Sequence, residues 1–113
     1  MKDNLNRSVT MVDANISKEG ERMLLVHGVI HLDLPEVHSL KGRRAVLNSL
    51  KERLKKKNLT LLDLSGEYVR EADLAFACLV HDAREAARCR ENIERLLERR
   101  FPELEWTLEY EEL

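Results

Sequence analysis

Aromatic residues and glycines are both scarce in this sequence. Aromatic side chains make up 4% of the 113 residues, and the four glycines are scattered along the chain. Stacking on aromatic side chains usually holds single-stranded nucleic acids; Tyr68 is the one candidate in a predicted loop, and a packed loop residue is its favoured interpretation. There is no glycine-rich phosphate loop, G-x-S-x-G motif or H-E-x-x-H motif. We therefore expect a protein that is not an enzyme and has no catalytic residues and no cofactor.

Cysteine is also rare, with Cys78 and Cys89 as the two examples. Both fall inside apolar patterns without paired spacing, which predicts reduced core residues rather than a disulfide or a metal knuckle. No apolar run is long enough to cross a membrane, and nothing resembles a signal peptide. These features predict a cytoplasmic protein that does not associate with membranes.

Charge is abundant but unevenly distributed. The net charge is −2, which argues against a general nucleic-acid binder, and 43% of the residues are hydrophobic, which excludes a disordered chain. Residues 39–57 hold eight lysines or arginines and one acid, whereas residues 103–113 hold five glutamates and no base. A domain polarised in this way can steer a charged partner.

The first 22 residues differ from the rest, because they are polar and have no apolar periodicity. We expect them to form a flexible N-terminal extension. The remaining residues, 23–113, have the length and composition of one domain. Their apolar patterns predict four strands, over residues 23–34, 58–64, 72–81 and from Leu104 onward. Helical periodicity predicts two helices, over residues 39–57 and 82–100.

The boundaries of these segments have local signals. Pro35 ends the first strand, Ser39 is a candidate N-cap of the first helix, and Asp82 with Glu85 forms a capping-box-like start of the second. The third strand is apolar on both faces, so we expect it to be central. With right-handed crossovers, the order β-α-β-β-α-β predicts an α+β fold, the ferredoxin-like sandwich. It has a four-stranded antiparallel sheet with both helices on one face.

Three polar residues of the first strand, His27, His31 and Asp33, share one face and invite a metal-site interpretation. Four residues of strand separate His27 from His31 by about 13 Å, which one ion with ligands at about 2 Å cannot bridge. We therefore predict no metal site and interpret these residues as polar positions on a half-open face.

The first helix carries the strongest candidate for a binding site. At about 100° per residue, Lys41, Arg44, Lys51 and Lys55 fall on one stripe beside the apolar face. Lys41, Arg43 and Arg44 place positive charge in the first turn, where the helix dipole opposes it, and a helix start flanked by cations attracts phosphate. A solvated face paired with surface glutamates is the alternative. The predicted anion- or RNA-binding residues are His38, Ser39, Lys41, Arg43, Arg44, Lys51 and Lys55.

The same block carries a resemblance to a known family. The segments GVIHLDL and HSLKGRRAVLNSLKERL are similar to the opening of the YlxP-like family, small bacterial proteins of unknown function. The family pattern H-S-L-K-x-[KR]-R is matched from His38 to Arg44, and S-L-K-x-[KR] is matched from Ser49 to Arg53. Ala45 and Asn48 depart from the pattern, where further bases are common. The resemblance implies a ferredoxin-like fold, no known catalytic activity and, through gene neighbourhood, a link to translation and ribosome maturation.

Three hypotheses about function follow. The first is an RNA- or ribosome-associated protein that binds ribosomal RNA or a ribosomal subunit through the basic helix. The second is a homodimeric interaction module whose partly apolar open sheet face is the working surface. The third is an enzyme that acts on a small anion held at the helix start, within reach of His38.

Overall fold

Six elements follow one another in the computed structural model, which describes residues 23–102 and 104–112. They are β1 (Leu24–Asp33), α1 (Leu40–Lys55), β2 (Thr60–Asp63), β3 (Glu71–Val80), α2 (Ala83–Arg100) and β4 (Glu105–Glu112). The order β-α-β-β-α-β agrees with the prediction, and each predicted segment contains its element to within a few residues. The extension predicted over residues 1–22 lies outside the described residues.

The four strands form one antiparallel sheet in the order β2-β3-β1-β4. The pairing of β1 with β3 runs along the whole of both strands, from Leu24 opposite Val80 to Asp33 opposite Glu71. β3 is therefore central, as predicted. β1 and β2 are parallel to each other, since both are antiparallel to β3, and α1 connects them. β3 and β4 are likewise parallel to each other, since both are antiparallel to β1, and α2 connects them. Because β1 and β3 are antiparallel, the two helices run in opposite directions. This topology confirms the ferredoxin-like α+β fold.

The core lies between the sheet and the helices and is built from aliphatic side chains. Alternate residues of β1 point to the helices, and Val26 and Ile30 are fully buried there. The helices bury one stripe each, with residues three, four or seven positions apart. These stripes are Leu47, Leu50 and Leu54 in α1, and Ala86, Ile93 and Leu97 in α2.

Both helices begin at a capping side chain. The Ser39 hydroxyl accepts a hydrogen bond from the Gly42 N–H at 3.0 Å, and the Asp82 carboxylate accepts one from the Glu85 N–H at 2.9 Å. The Glu85 carboxylate accepts from the His81 N–H at 2.7 Å, one residue before the position that a standard capping box uses. This backbone hydrogen bond lowers the pKa of Glu85, and the His81 ring lowers it further. Desolvation acts in the opposite direction, but its effect on the pKa is smaller.

Because the folded-state pKa of Glu85 lies below its ordinary value of 4.5, its stabilising contribution is present above that pH and is lost as the pH falls through the folded-state pKa. We expect Glu85→Gln to have a lower melting temperature than the natural protein at neutral pH. In acid the two melting temperatures should converge. Thermal unfolding followed by circular dichroism at both pH values measures the gap, with Glu91→Gln as the control on the same helix. A gap that stays constant with pH would contradict this account.

Candidate nucleic-acid interface

The polar side chains at the start of α1 are engaged within the protein. Ser39 caps the helix. The Nδ1 atom of His38 lies 3.2 Å from Nη2 of Arg70. Since a guanidinium only donates, His38 accepts through Nδ1 and carries its proton on Nε2. The structure thus gives His38 and Ser39 local roles in the turn before the helix, although both side chains are exposed.

Arg43 was predicted to bind an anion, but the structure places its side chain inside the fold. It is 9% exposed. Its Nη1 atom donates to the backbone carbonyls of Tyr68 and Glu71 at 3.0 and 3.1 Å. Arg43 therefore fastens the connection between β2 and β3 to α1. This internal role explains one of the cations that the helix dipole opposes, because its charge serves as a hydrogen-bond donor to carbonyl groups.

The other four predicted cations remain on the surface. Lys41, Arg44 and Lys55 are exposed, and Lys51 is half-buried. We call Lys41, Arg44, Lys51 and Lys55 the α1 stripe. Among the side chains that the structure describes, no acid lies within 4 Å of any of the four. The interpretation of this stripe as a face paired with surface glutamates therefore receives no support from the described ion pairs.

Lys51, one member of the α1 stripe, acts on the carboxylate of Asp63 in β2. Burial raises the pKa of Asp63, but hydrogen bonds from the Ser65 side chain and backbone, with the positive charges of Lys51 and Arg43, outweigh it. The pKa of Asp63 is therefore below its ordinary value. At Lys51, the α1 stripe is therefore close to β2.

A second set of cations lines a groove between the two helices. The groove has a volume of about 370 Å³ and is lined by Arg53, Lys56, Lys57, Asn92, Arg95, Leu96, Arg99 and Arg100. Six of these residues are cations, and the described lining includes no acid. We call this the basic groove. It contains none of the seven residues predicted from the sequence.

The basic groove depends on a separation of charge around α2 that the sequence analysis did not use. Helical geometry turns each residue by about 100°, which places Arg95 and Arg99 on the flank that faces α1. The same geometry places Glu94 and Glu98 about 100° from Arg95 and Arg99, respectively, on the other flank, whereas Glu91 lies about 40° from Arg95. An ion pair between Glu91 and Arg95 was an expected i,i+4 contact, but in the described chain Arg95 donates to Asn92 Oδ1 at 3.2 Å instead.

An apolar pocket continues the groove toward the start of α1. It has a volume of about 420 Å³ and shares Arg100 with the basic groove. Its other lining residues are mostly apolar, with Glu36 and Ser49 as the polar ones: Leu34, Pro35, Glu36, Val37, Ala45, Val46, Ser49, Phe101 and Leu104. The cleft between the helices therefore has a basic end and an apolar end, joined at Arg100.

The open face of the sheet carries a polar cluster centred on His31. Its Nδ1 atom lies 2.6 Å from the Asp73 carboxylate, and its Nε2 atom lies 3.5 Å from that of Glu109. His27 is buried, at 7% exposure. Among the described residues, no group of three or more histidines, cysteines and acids is arranged to hold a metal ion.

The open face of the sheet also carries two large apolar side chains, Leu62 and Leu79, which are 61% and 65% exposed.

The two cysteines form a pair that their spacing in the sequence did not indicate. Cys78 in β3 and Cys89 in α2 are free thiols, as predicted, and both are half-buried. Their sulfur atoms lie 3.2 Å apart. With the Cys78 thiol as donor, the hydrogen bond lowers the pKa of Cys89, although burial opposes this shift. The same contact, together with burial, raises the pKa of Cys78.

We expect iodoacetamide to alkylate Cys89 before Cys78, because the thiolate is the reactive form and Cys89 deprotonates first. The rate at Cys89 should rise with pH through its lowered pKa. In Cys78→Ala the donor is lost, so this rise should move to higher pH. Mass spectrometry of peptides after brief alkylation measures both rates. Equal rates at the two cysteines of the natural protein would show that the thiol pair is not polarised in this way.

No helix in the described part of the chain combines the length and the apolar character that crossing a bilayer requires.

Tyr68 lies in a loop at the side of the domain where α1 begins. Its backbone carbonyl accepts the hydrogen bond from Arg43, and the residue is 61% exposed. The molecule is thus a small ferredoxin-like α+β domain with a basic helical layer.

Comparison with known proteins assigns this domain to a family. Residues 26–109 match the model of the family described as "Protein of unknown function (DUF503)", and the chain belongs to this family. None of the curated proteins matches the chain. Among solved structures, the "De novo designed protein Foldit4" is 14% identical over 80% of this chain and 97% of that chain, with a TM-score of 0.49. The "De novo designed protein Ferredog-Diesel" is 16% identical over 93% and 98%, with a TM-score of 0.42.

Proposed function

We propose that this member of the DUF503 family is a YlxP-like, cytoplasmic, non-catalytic protein that binds RNA, with ribosomal RNA or a ribosomal subunit as the partner. The observation that carries the proposal is the set of surface cations in the helical layer that form no ion pair within 4 Å among the described side chains. Unpaired cations on rigid helices suit phosphate groups, because the contact releases the counterions that surround a nucleic acid.

The same surface predicts how RNA is read. Lysine and arginine side chains contact phosphates, which position a nucleic acid without identifying its bases. All four residues of the α1 stripe are lysine or arginine, so the stripe itself offers no aromatic side chain on which a base could stack. Recognition by the α1 stripe therefore depends on the shape of the RNA and the spacing of its phosphates.

The test is cosedimentation of the purified protein with ribosomal subunits, together with a mobility-shift assay on ribosomal RNA at low salt. We expect binding that the triple variant Lys41→Glu, Arg44→Glu, Lys51→Glu weakens. Circular dichroism must show that this variant is folded. Failure of the natural protein to bind either subunits or RNA at low salt would exclude the proposal.

A second candidate function, a homodimeric interaction module, is favoured by one observation. Leu62 and Leu79 on the open sheet face are 61% and 65% exposed. Val29 of β1, which lies between β3 and β4, is 5% exposed, so the exposed apolar surface of this face comes from β2 and β3. Large apolar side chains on one face are typical of an association surface. Light scattering should then show a dimer whose proportion rises with concentration, and Leu79→Glu should shift it to monomer. A natural protein that is monomeric at high concentration would contradict this candidate.

A further inference from the structure

We propose that the cleft between α1 and α2 is a binding site for single-stranded RNA, with phosphates along the basic groove and one unpaired base in the apolar pocket. This inference rests on the proposed RNA-binding function and names a different surface from the α1 stripe. On a helical wheel the groove residues Arg53 and Lys56 lie about 130° around the α1 axis from the centre of the α1 stripe. One nucleic-acid strand seated in the cleft would therefore not contact the α1 stripe at the same time.

The helix dipoles explain why most of these cations lie at helix ends, but not why they converge on one groove. Arg53 belongs to the last turn of α1, and Arg99 and Arg100 belong to the last turn of α2, where cations suit the helix dipole. Arg95 lies one turn earlier, and the two helices run in opposite directions. Cations from α1 thus face cations from α2 across the groove, and like charges repel each other at this range. With no acid in the described lining, a bound polyanion is the arrangement that offsets this repulsion.

Four of the six cations are arginines, which favours phosphate as the anion. A guanidinium donates two parallel hydrogen bonds to phosphate or carboxylate oxygens and is weakly hydrated, so it binds well in a cleft. Arg95 and Arg99 are four residues apart on α2 and therefore about 6 Å apart along its axis. Together with Arg53 they present donors on both walls of the groove.

The apolar pocket distinguishes a nucleotide strand from a simple polyanion. Arg100 lines both the basic groove and the apolar pocket, so a phosphate held there places its attached nucleoside beside Phe101 and Val46. The volumes of the two parts, about 370 and 420 Å³, lie within the range of small-molecule pockets. A base can enter the apolar pocket only when it is unpaired and unstacked, as in a single strand, whereas the bases of a duplex are held inside it. The chemistry therefore favours single-stranded over double-stranded RNA.

Two triple variants with the same change of charge separate the basic groove from the α1 stripe. The groove variant is Arg53→Glu, Arg95→Glu, Arg99→Glu, and the stripe variant is Lys41→Glu, Arg44→Glu, Lys51→Glu. Fluorescence anisotropy with a short labelled oligoadenylate measures affinity at low salt, and circular dichroism checks folding. We expect the groove variant to lose roughly tenfold or more in affinity and the stripe variant to lose less. Should the groove variant misfold, the single variant Arg95→Glu against Lys51→Glu makes the same comparison.

A further variant tests the apolar pocket by itself. Ala45→Leu fills the pocket from an exposed helical position with a good helix former, so the fold should be unaffected. It should weaken oligoadenylate several-fold and leave inorganic polyphosphate, which has no base, unchanged. The natural protein should also prefer oligoadenylate to a duplex RNA of the same length. Equal losses for oligoadenylate and polyphosphate, or no loss for either, would overturn the base-binding part of the proposal.

The outcomes also separate this inference from the function on which it rests. If the natural protein binds no RNA at low salt, the proposed function and the inference fail together. If RNA binds but the stripe variant loses more than the groove variant, the inference fails and the proposed function stands. Displacement of oligoadenylate by poly-glutamate at equal charge concentration would overturn the inference in favour of an acidic protein partner.

Discussion

Replacing Arg43 with alanine should lower the free energy of unfolding by about 2–3 kcal/mol. The guanidinium is buried and donates to the carbonyls of Tyr68 and Glu71, and a hydrogen bond from a charged donor contributes more than a neutral one. Alanine also removes the packed aliphatic part of the side chain. For a domain of this size each kcal/mol corresponds to about 4–8 °C in melting temperature. Urea and thermal unfolding of the purified variant measure both quantities.

The neighbouring residue provides the control. Arg44 has the same charge and an exposed side chain, so Arg44→Ala should change the free energy of unfolding by no more than about 0.5 kcal/mol. Arg43→Lys should lose part of the stability, because an ammonium group lacks the planar fork that reaches both carbonyls. If Arg43→Ala were as stable as Arg44→Ala and instead lost RNA binding, Arg43 would be a surface anion ligand after all.

Two signals in the sequence disagree about the position of Arg43. It precedes Leu47 by four residues and Leu50 by seven, so it falls on the buried stripe of α1. The chemistry of arginine argued for the surface, because a buried charge requires partners. Those partners are backbone carbonyls of a distant loop, 25 and 28 residues away, and no local pattern identifies a carbonyl as an acceptor. The prediction therefore followed the charge of Arg43, although the helical period places this residue on the buried stripe.

The fold itself was predictable, because its signals are local and agree with one another. Pro35 after an alternating strand, Ser39 as a cap and the apolar periods of both helices each point to the same element order. Two features lie beyond such signals, because each joins side chains from different elements. The Cys78–Cys89 contact joins a strand to a helix, and the basic groove joins the C-terminal end of α1 with one flank of α2. Only the packing of α2 beside α1 brings those arginines together.

The dependence of RNA affinity on salt should show how many of these cations take part. Each phosphate contact to a single strand contributes about 0.7 to the slope of log affinity against log salt concentration. If all six cations of the basic groove are engaged, the slope is about −4, and a fourfold rise in salt weakens binding by roughly 300-fold. If the α1 stripe binds as well, its four cations steepen the slope to about −7. Anisotropy titrations at several salt concentrations give the slope directly.

The groove variant turns this slope into a test of location. Losing three contacts should make the slope shallower by about 2, whereas the stripe variant should leave it near −4 if the strand occupies the cleft alone. A weaker affinity with an unchanged slope would indicate that the substitutions act through general repulsion, because a like charge nearby lowers affinity without removing a phosphate contact. A slope near zero for the natural protein would mean that the surface cations make no phosphate contacts and serve only to keep the helix surface polar.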